Sequence, residues 1–131
     1  MTTGYAVATR NAQLDAITSA VSNAGTLKIY DGARPATGGA ATTLLATFTL
    51  GSPFAPGASL GVLSPTLPSS TTGVGASTAT WFRVTTSGGT QVIDGAVSAG
   101  GGGGDMILNT TTISVGLTVS VSSWTITRGN P

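Results

Sequence analysis

Between Thr9 and Asn23, apolar residues recur at spacings of three and four. Leu14, Ile17, Val21 and Ala24 fall on one face, and Ala12, Ala16 and Ala20 support the same element. This period predicts an amphipathic helix over 9–23. Thr9 is its expected N-cap, because a hydroxyl there can accept from an unpaired N–H of the first turn. Gly25 is the expected left-handed residue that ends it. A helix of this length is marginal alone and must pack on something. From Gly25 onward the period changes to two. Leu27 and Ile29 alternate with Lys28 and Tyr30, and Asp31-Gly32-Ala33-Arg34-Pro35 then reads as a turn and loop. In the next strand Leu44, Ala46, Phe48 and Leu50 share one face, and Leu45, Thr47 and Thr49 share the other.

Pro53, Pro56, Pro65 and Pro68 make 51–75 rich in loops, with room for a short edge strand near Leu60–Ser64. A longer strand is predicted over Ser77–Thr86. Ser87-Gly88-Gly89 turns the chain, and Gln91–Val97 returns as the second arm of a hairpin. The run Gly100–Gly104 reads as a flexible loop between strands, with close approach to a partner backbone as the alternative. No Lys follows it and no strand–loop–helix context surrounds it, so it does not read as a phosphate cradle. Met106–Asn109 is a short strand, and Ile113 and Val115 continue the apolar pattern up to a bend at Gly116. Over Leu117–Thr127 the apolar phase moves from odd positions (Leu117, Val119, Val121) to even ones (Trp124, Ile126). A one-residue bulge at Ser122-Ser123 would keep both sets on one face.

About seven or eight short strands after one helix predict a mainly β chain, a single-domain β-sandwich of jelly-roll or immunoglobulin-like arrangement. Its parts would be an arm (1–8), the helix (9–24), the sandwich (26–127) and a tail without structure of its own (128–131).

Composition narrows the function. The 131 residues carry nine charges, no Glu, no His and no Cys, but 38 Ser or Thr. A charged fraction of 7% compares with about 25% in ordinary soluble domains. Without His or Cys there is no Ser–His–Asp triad, thiolate or Cys/His zinc site. The four acids Asp15, Asp31, Asp94 and Asp105 are isolated in sequence and lie in neither a D-T-G nor a D-S-G motif. Asp31, Asp94 and Asp105 read as turn and strand-end residues, and no calcium loop pattern is present. The expectation is therefore no catalytic residue, no cofactor and no metal. Basic residues at 10, 28, 34, 83 and 128 form no local patch, which argues against nucleic acid and against an anionic membrane. No apolar run reaches 18 residues despite a mean hydropathy of +0.33. The first ten residues lack the basic and apolar regions of a secretory signal. Residues 35–82 and 106–127 contain no charge at all. They read as surfaces that lie against other proteins.

Trp81-Phe82-Arg83 is the densest spot. Adjacent strand residues face opposite sides, so one ring should fill the core while the other lies outside, or under a loop or the helix. Burial of both rings competes with an exposed Trp81–Arg83 pair at an interface, where both residue types are enriched. The candidate protein-interface residues are Tyr30, Arg34, Trp81, Arg83 and Trp124. In an alternative reading, Trp81, Tyr30 or Trp124 would stack on a sugar, as in a receptor- or carbohydrate-binding module.

The segments Arg10-Asn11-Ala12, Gly25-Thr26-Leu27-Lys28-Ile29-Tyr30, Gly32, Arg34-Pro35 and Leu44-Leu45-Ala46-Thr47, with Ala79-Thr80-Trp81-Phe82-Arg83, Asp94-Gly95 and the Thr/Val-rich last strand, resemble the capsid cement (decoration) proteins of tailed bacteriophages. The resemblance runs from Arg10 to Thr127. It implies a jelly-roll-like sandwich on the outer capsid surface of the virion, bridging major capsid protein subunits. It also implies a symmetric homo-oligomer, a dimer before a trimer. It implies no catalysis, and the five-glycine run has no place in its pattern. With a phage origin, the sugar-stacking alternative becomes a receptor- or carbohydrate-binding module of a phage fibre.

Overall fold

A computed structural model of the chain describes residues 4–128. Helix α1 (Val7–Val21) is followed by eleven strands: β1 (Thr26–Asp31), β2 (Leu44–Thr49), β3 (Val62–Leu63), β4 (Thr71–Thr72), β5 (Ser77–Thr85), β6 (Gln91–Ala99), β7 (Met106–Leu108), β8 (Thr112–Ile113), β9 (Thr118–Val119), β10 (Val121–Trp124) and β11 (Ile126–Thr127). The chain is thus mainly β with one N-terminal helix, as its periodicity predicts. The main sheet runs β10-β7-β6-β5-β1-β2, and β8 pairs with the start of β5. Two short ribbons, β3/β11 and β4/β9, help to close this curled sheet into a β-sandwich around its core.

The helix begins two residues before Thr9, so Thr9 lies within it rather than capping it. Ala6 occupies the N-cap and offers no side-chain hydrogen bond. At the other end Ser22 (φ 61°) and Ala24 (φ 55°) adopt left-handed backbone, and Gly25 does not. The need for glycine at 25 is steric instead. A Cβ there would lie 2.5 Å from Val21 Cγ1 and 2.8 Å from the Thr85 carbonyl oxygen. Leu14 and Val21 are buried and Ile17 packs beside them on the core, whereas Ala24 is exposed. Polar contacts complete the docking of the helix on its own sandwich. Asn11 Oδ1 accepts from the Gly61 N–H, and Asp15 Oδ1 accepts from the Ala58 N–H. Arg10 donates to the Arg128 carbonyl, and Arg128 Nε donates to Gln13. Arg128 also lies over the Tyr5 ring. The expected free tail is therefore anchored at its first residue. Its remainder (129–131) and positions 1–3 of the arm lie outside the described residues.

Three register shifts decide which side chains reach the core. In β2, Ala46, Phe48 and the following Leu50 are buried as their alternation predicts. Leu45 is buried as well, because the β1–β2 register shifts between Ile29 and Tyr30 and leaves it as an extra residue. In β5 a shift opposite Tyr30/Asp31 leaves Thr80 unpaired. Ala79 and Phe82 thereby join the core, while Trp81 faces the other side. In β10 the shift falls at Ser122, where the sequence places a bulge, and Val119, Val121 and Trp124 all turn inward. Leu117 does not follow and is 37% exposed. The single last strand that the pattern predicts is instead divided into β9, β10 and β11. Trp124 packs edge-on against Phe54 and Phe82, with ring centroids 5.3 and 5.4 Å apart.

The five-glycine run is not a loose loop. β6 and β7 are parallel neighbours, with Val97 opposite Met106, yet only residues 100–105 connect them. Parallel neighbours ordinarily need a crossover of about a dozen residues or more. Gly101 supplies left-handed backbone (φ 85°). The Gly102 N–H donates to the Ala99 carbonyl, and the Gly104 N–H donates to Ser98 Oγ. A Cβ on Gly102 would lie 2.4 Å from Ser98 Cβ, and one on Gly104 would lie 2.8 Å from the Val97 carbonyl carbon. At Gly102 and Gly104 the close approach is to the chain's own strand β6.

Crowding at Gly25 gives a direct test. Gly25→Ala should lower stability by about 2 kcal/mol, the cost of overpacking against backbone. Gly57→Ala, where an added Cβ meets nothing within 4 Å, should leave it nearly unchanged. Urea unfolding midpoints of the two variants check both outcomes.

Candidate functional site

The sheet face away from the main core carries a second, polar-aromatic cluster. β1, β5 and β6 lie side by side in register, placing Tyr30 opposite Trp81 and Arg83 opposite Asp94. Tyr30 and Trp81 stack with centroids 4.5 Å apart, and the Arg83 guanidinium lies 5.1 Å from the Trp81 ring centre. Arg83 grips Asp94 with a two-pronged ion pair, Nε to Oδ1 at 2.8 Å and Nη2 to Oδ2 at 3.0 Å.

The loop between β1 and β2 roofs this cluster. The Gly38 N–H donates to Asp94 Oδ2, and Arg83 Nη2 donates to the Gly39 carbonyl. The Trp81 indole N–H is shared between the Asp31 carbonyl and Thr42 Oγ1. Asp31 closes the base of the loop, its Oδ1 accepting from the Thr43 N–H. The result is a loop held at both ends, under which Trp81 is fully buried.

Burial tends to push the Asp94 carboxyl up. Hydrogen bonds from Arg83 and the Gly38 N–H outweigh that, and hold it below the usual carboxylate range. The bond to Asp94 raises Arg83, and burial raises Tyr30 against the opposing charge of Arg83. The Asp94 side chain is only 1% exposed and that of Arg83 11%. Each group is engaged by its neighbours, and together they hold a loop in place.

Of the five residues expected at an interface, the structure gathers Tyr30, Trp81 and Arg83 into this cluster and sets Trp124 on the opposite face of the sheet. The exposed Trp81–Arg83 pair is corrected. Trp81 lies beneath a loop, as one of the two placements for adjacent strand residues requires, and Arg83 is committed to Asp94 and Gly39. Arg34 sits exposed in the roofing loop. Tyr30, Trp81 and Trp124 are all nearly inaccessible, so none presents a ring face to a sugar. Asp94, which the sequence reads as a turn or strand-end residue, is the further participant. Its cross-strand place opposite Arg83 follows from the predicted hairpin but needs the register to be known.

The exposed apolar residues lie elsewhere. The Leu117 N–H donates to the Ser114 carbonyl around Gly116 (φ 84°), which forms a tight turn with Val115 at its tip. The Gly73 N–H donates to the Leu117 carbonyl, so Val74 stands next to this turn. Val115 is 73% exposed, and Val74 and Leu117 are also open to solvent. They form an apolar ridge that the sequence signals only through its lack of charge. In comparisons with known protein families, curated proteins and solved structures, the chain matches none.

Asp94→Ala leaves the enclosed Arg83 without its partner and should cost about 3 kcal/mol, whereas Arg34→Ala should change stability by less than about 0.5 kcal/mol. Equilibrium unfolding measures both.

The lowered Asp94 carboxyl also sets a pH dependence. Its stabilisation is complete above the ordinary carboxylate range and is lost as pH falls through and below that range. The Trp81 indole N–H resonance should therefore hold its position at neutral pH and move only in strong acid, when the loop releases.

Proposed function

We propose that this chain is a structural virion protein without catalytic role, a cement (decoration) protein on the outer surface of a tailed-bacteriophage capsid. It bridges major capsid protein subunits as a symmetric homo-oligomer, a dimer before a trimer, and needs no cofactor, nucleic acid or membrane. The observation that carries this reading is where apolar surface is exposed. Leu60, Leu67, Val74, Val115 and Leu117 all fall within the two charge-free segments, and Val7 is the one other large exposed hydrophobic among the described residues. Charge-poor surface bearing projecting aliphatic side chains suits contact with other protein. The resemblance of the sequence to capsid cement proteins supplies the partner. A protein that binds only the assembled shell stabilises it by mass action. The fibre-module alternative needs an aromatic platform at the surface, and the candidate rings are internal. The direct test is to delete or strip the protein and heat the particles. Capsids should then rupture at a lower temperature. Unchanged rupture, together with absence of the protein from purified virions, overturns the reading.

Leu60 provides a finer test. Ser59 and Val62 exchange both backbone hydrogen bonds around Leu60-Gly61, and both central residues have positive φ (52° and 76°). Such a turn favours Asn or Gly at its first central position. Leu there is strained, by about 1 kcal/mol, and is 77% exposed. Leu60→Asn should raise the stability of the isolated protein by a similar amount while weakening its retention on particles. A thermal melt and co-sedimentation with stripped capsids measure the two effects.

A further inference from the structure

β6 is paired on one side by β5, but on the other only at 97–99, where β7 begins. Along 91–95 no strand among the described residues pairs with that second edge. The Ala96 N–H points toward this side, since it donates to Asp105 Oδ2 at 3.1 Å. Backbone groups of alternate strand residues point the same way, so the N–H and C=O of Asp94 face the same open edge. Beside it lies a cavity of about 210 Å³ lined by Phe82, Ile93, Gly95 and Ile126, with Asp105, Thr125 and Thr127 among its polar walls. Drug-sized sites span about 300–1,000 Å³, so this one suits one or two side chains rather than a cofactor.

The electrostatics are one-sided. The Asp94 carboxylate is neutralised by Arg83 on the far face of the sheet. Asp105 lies at the cavity, is exposed, and makes no ion pair among the described residues. Thus a strand edge without a paired strand among the described residues, an apolar recess and a carboxylate without an ion pair there occur together. We propose that this edge binds an extended segment of a partner polypeptide. The segment adds its backbone along Ile93–Gly95, places an aliphatic side chain against Phe82 and Ile126, and sets a Lys or Arg two residues along, on the same face, on Asp105. Strand addition of this kind draws affinity from main-chain hydrogen bonds and specificity from the side-chain pocket. In the cement reading the segment belongs to a shell subunit, but the site itself is defined without reference to the shell.

The test titrates the full chain, observed by amide NMR, with the peptide acetyl-Thr-Leu-Thr-Lys-Thr-amide, in which Leu and Lys share a face, and with its counterpart carrying Glu in place of Lys. The basic peptide should shift the amides of Ile93–Gly95, Asp105 and Thr125–Thr127. The acidic one should bind about tenfold more weakly, the size of one charge-assisted contact. Asp105→Asn, whose side-chain oxygen can still accept from Ala96, should abolish that discrimination. Shifts located elsewhere, no shifts at all, or equal binding of the two peptides by the unaltered protein overturn the proposal. Loss of the particle-heating effect would not, so failure of this site and failure of the cement reading are told apart.

Discussion

Everything in this fold depends on β5 being buried on both faces. A chain with seven aromatic residues can hardly leave one idle, and the unpaired Thr80 lets β5 send Phe82 and Ala79 to one side and Trp81 to the other. The first side becomes the core, closed by Trp124 and Phe54. The second becomes a small enclosed cluster in which an aromatic stack, a guanidinium and a carboxylate support a loop rich in small residues. Without that loop Trp81 would be open to solvent, and without Trp81 and the ion pair the loop would have little to rest on.

The scarcity of charge gives that single ion pair unusual weight. It is the one salt bridge among the described residues, and it joins adjacent strands while anchoring a loop from another part of the chain through Gly38 and Gly39. Elsewhere charged side chains make single hydrogen bonds to uncharged groups, as where the Asp15 carboxylate accepts from the Ala58 N–H, and the remaining polar contacts are hydroxyl, amide and backbone ones such as Asn11 with the Gly61 N–H. Such contacts leave the surface nearly neutral. Dense packing of copies on a shell, as proposed here, meets little long-range repulsion on a surface of this kind.

Much of the fold was legible in the sequence. The change from period 3.6 to period 2 at Gly25 marks the end of the helix, and the phase slip at Ser122-Ser123 marks a real bulge. The hairpin of β5 and β6 follows from its turn residues. Thr9 is a good capping residue by type, yet the helix starts at Val7, with Ala6 at the N-cap and no side-chain hydrogen bond there. At position 25 the sequence signals glycine for left-handed backbone, but glycine serves close approach as well, and only neighbouring atoms distinguish the two. Of the candidate site, three residues do come together, but as an interior cluster. Residue type says that Trp and Arg are suited to interfaces; it does not say whether a loop lies over them.

The sequence by itself determined that no His, Cys or Glu side chain is present, that the chain is mainly β with one N-terminal helix, and which segments are free of charge. These depend on residue inventory and local period, which are properties of neighbours along the chain. Only the tertiary structure decided that the glycine run makes a tight crossing into a parallel strand, that Asp94 meets Arg83 beneath a loop, and that Val74, Val115 and Leu117 form one ridge. Each of these depends on register and on contacts between segments remote in sequence. Local pattern cannot carry them, because shifting a strand by one residue changes every pairing while leaving the alternation intact.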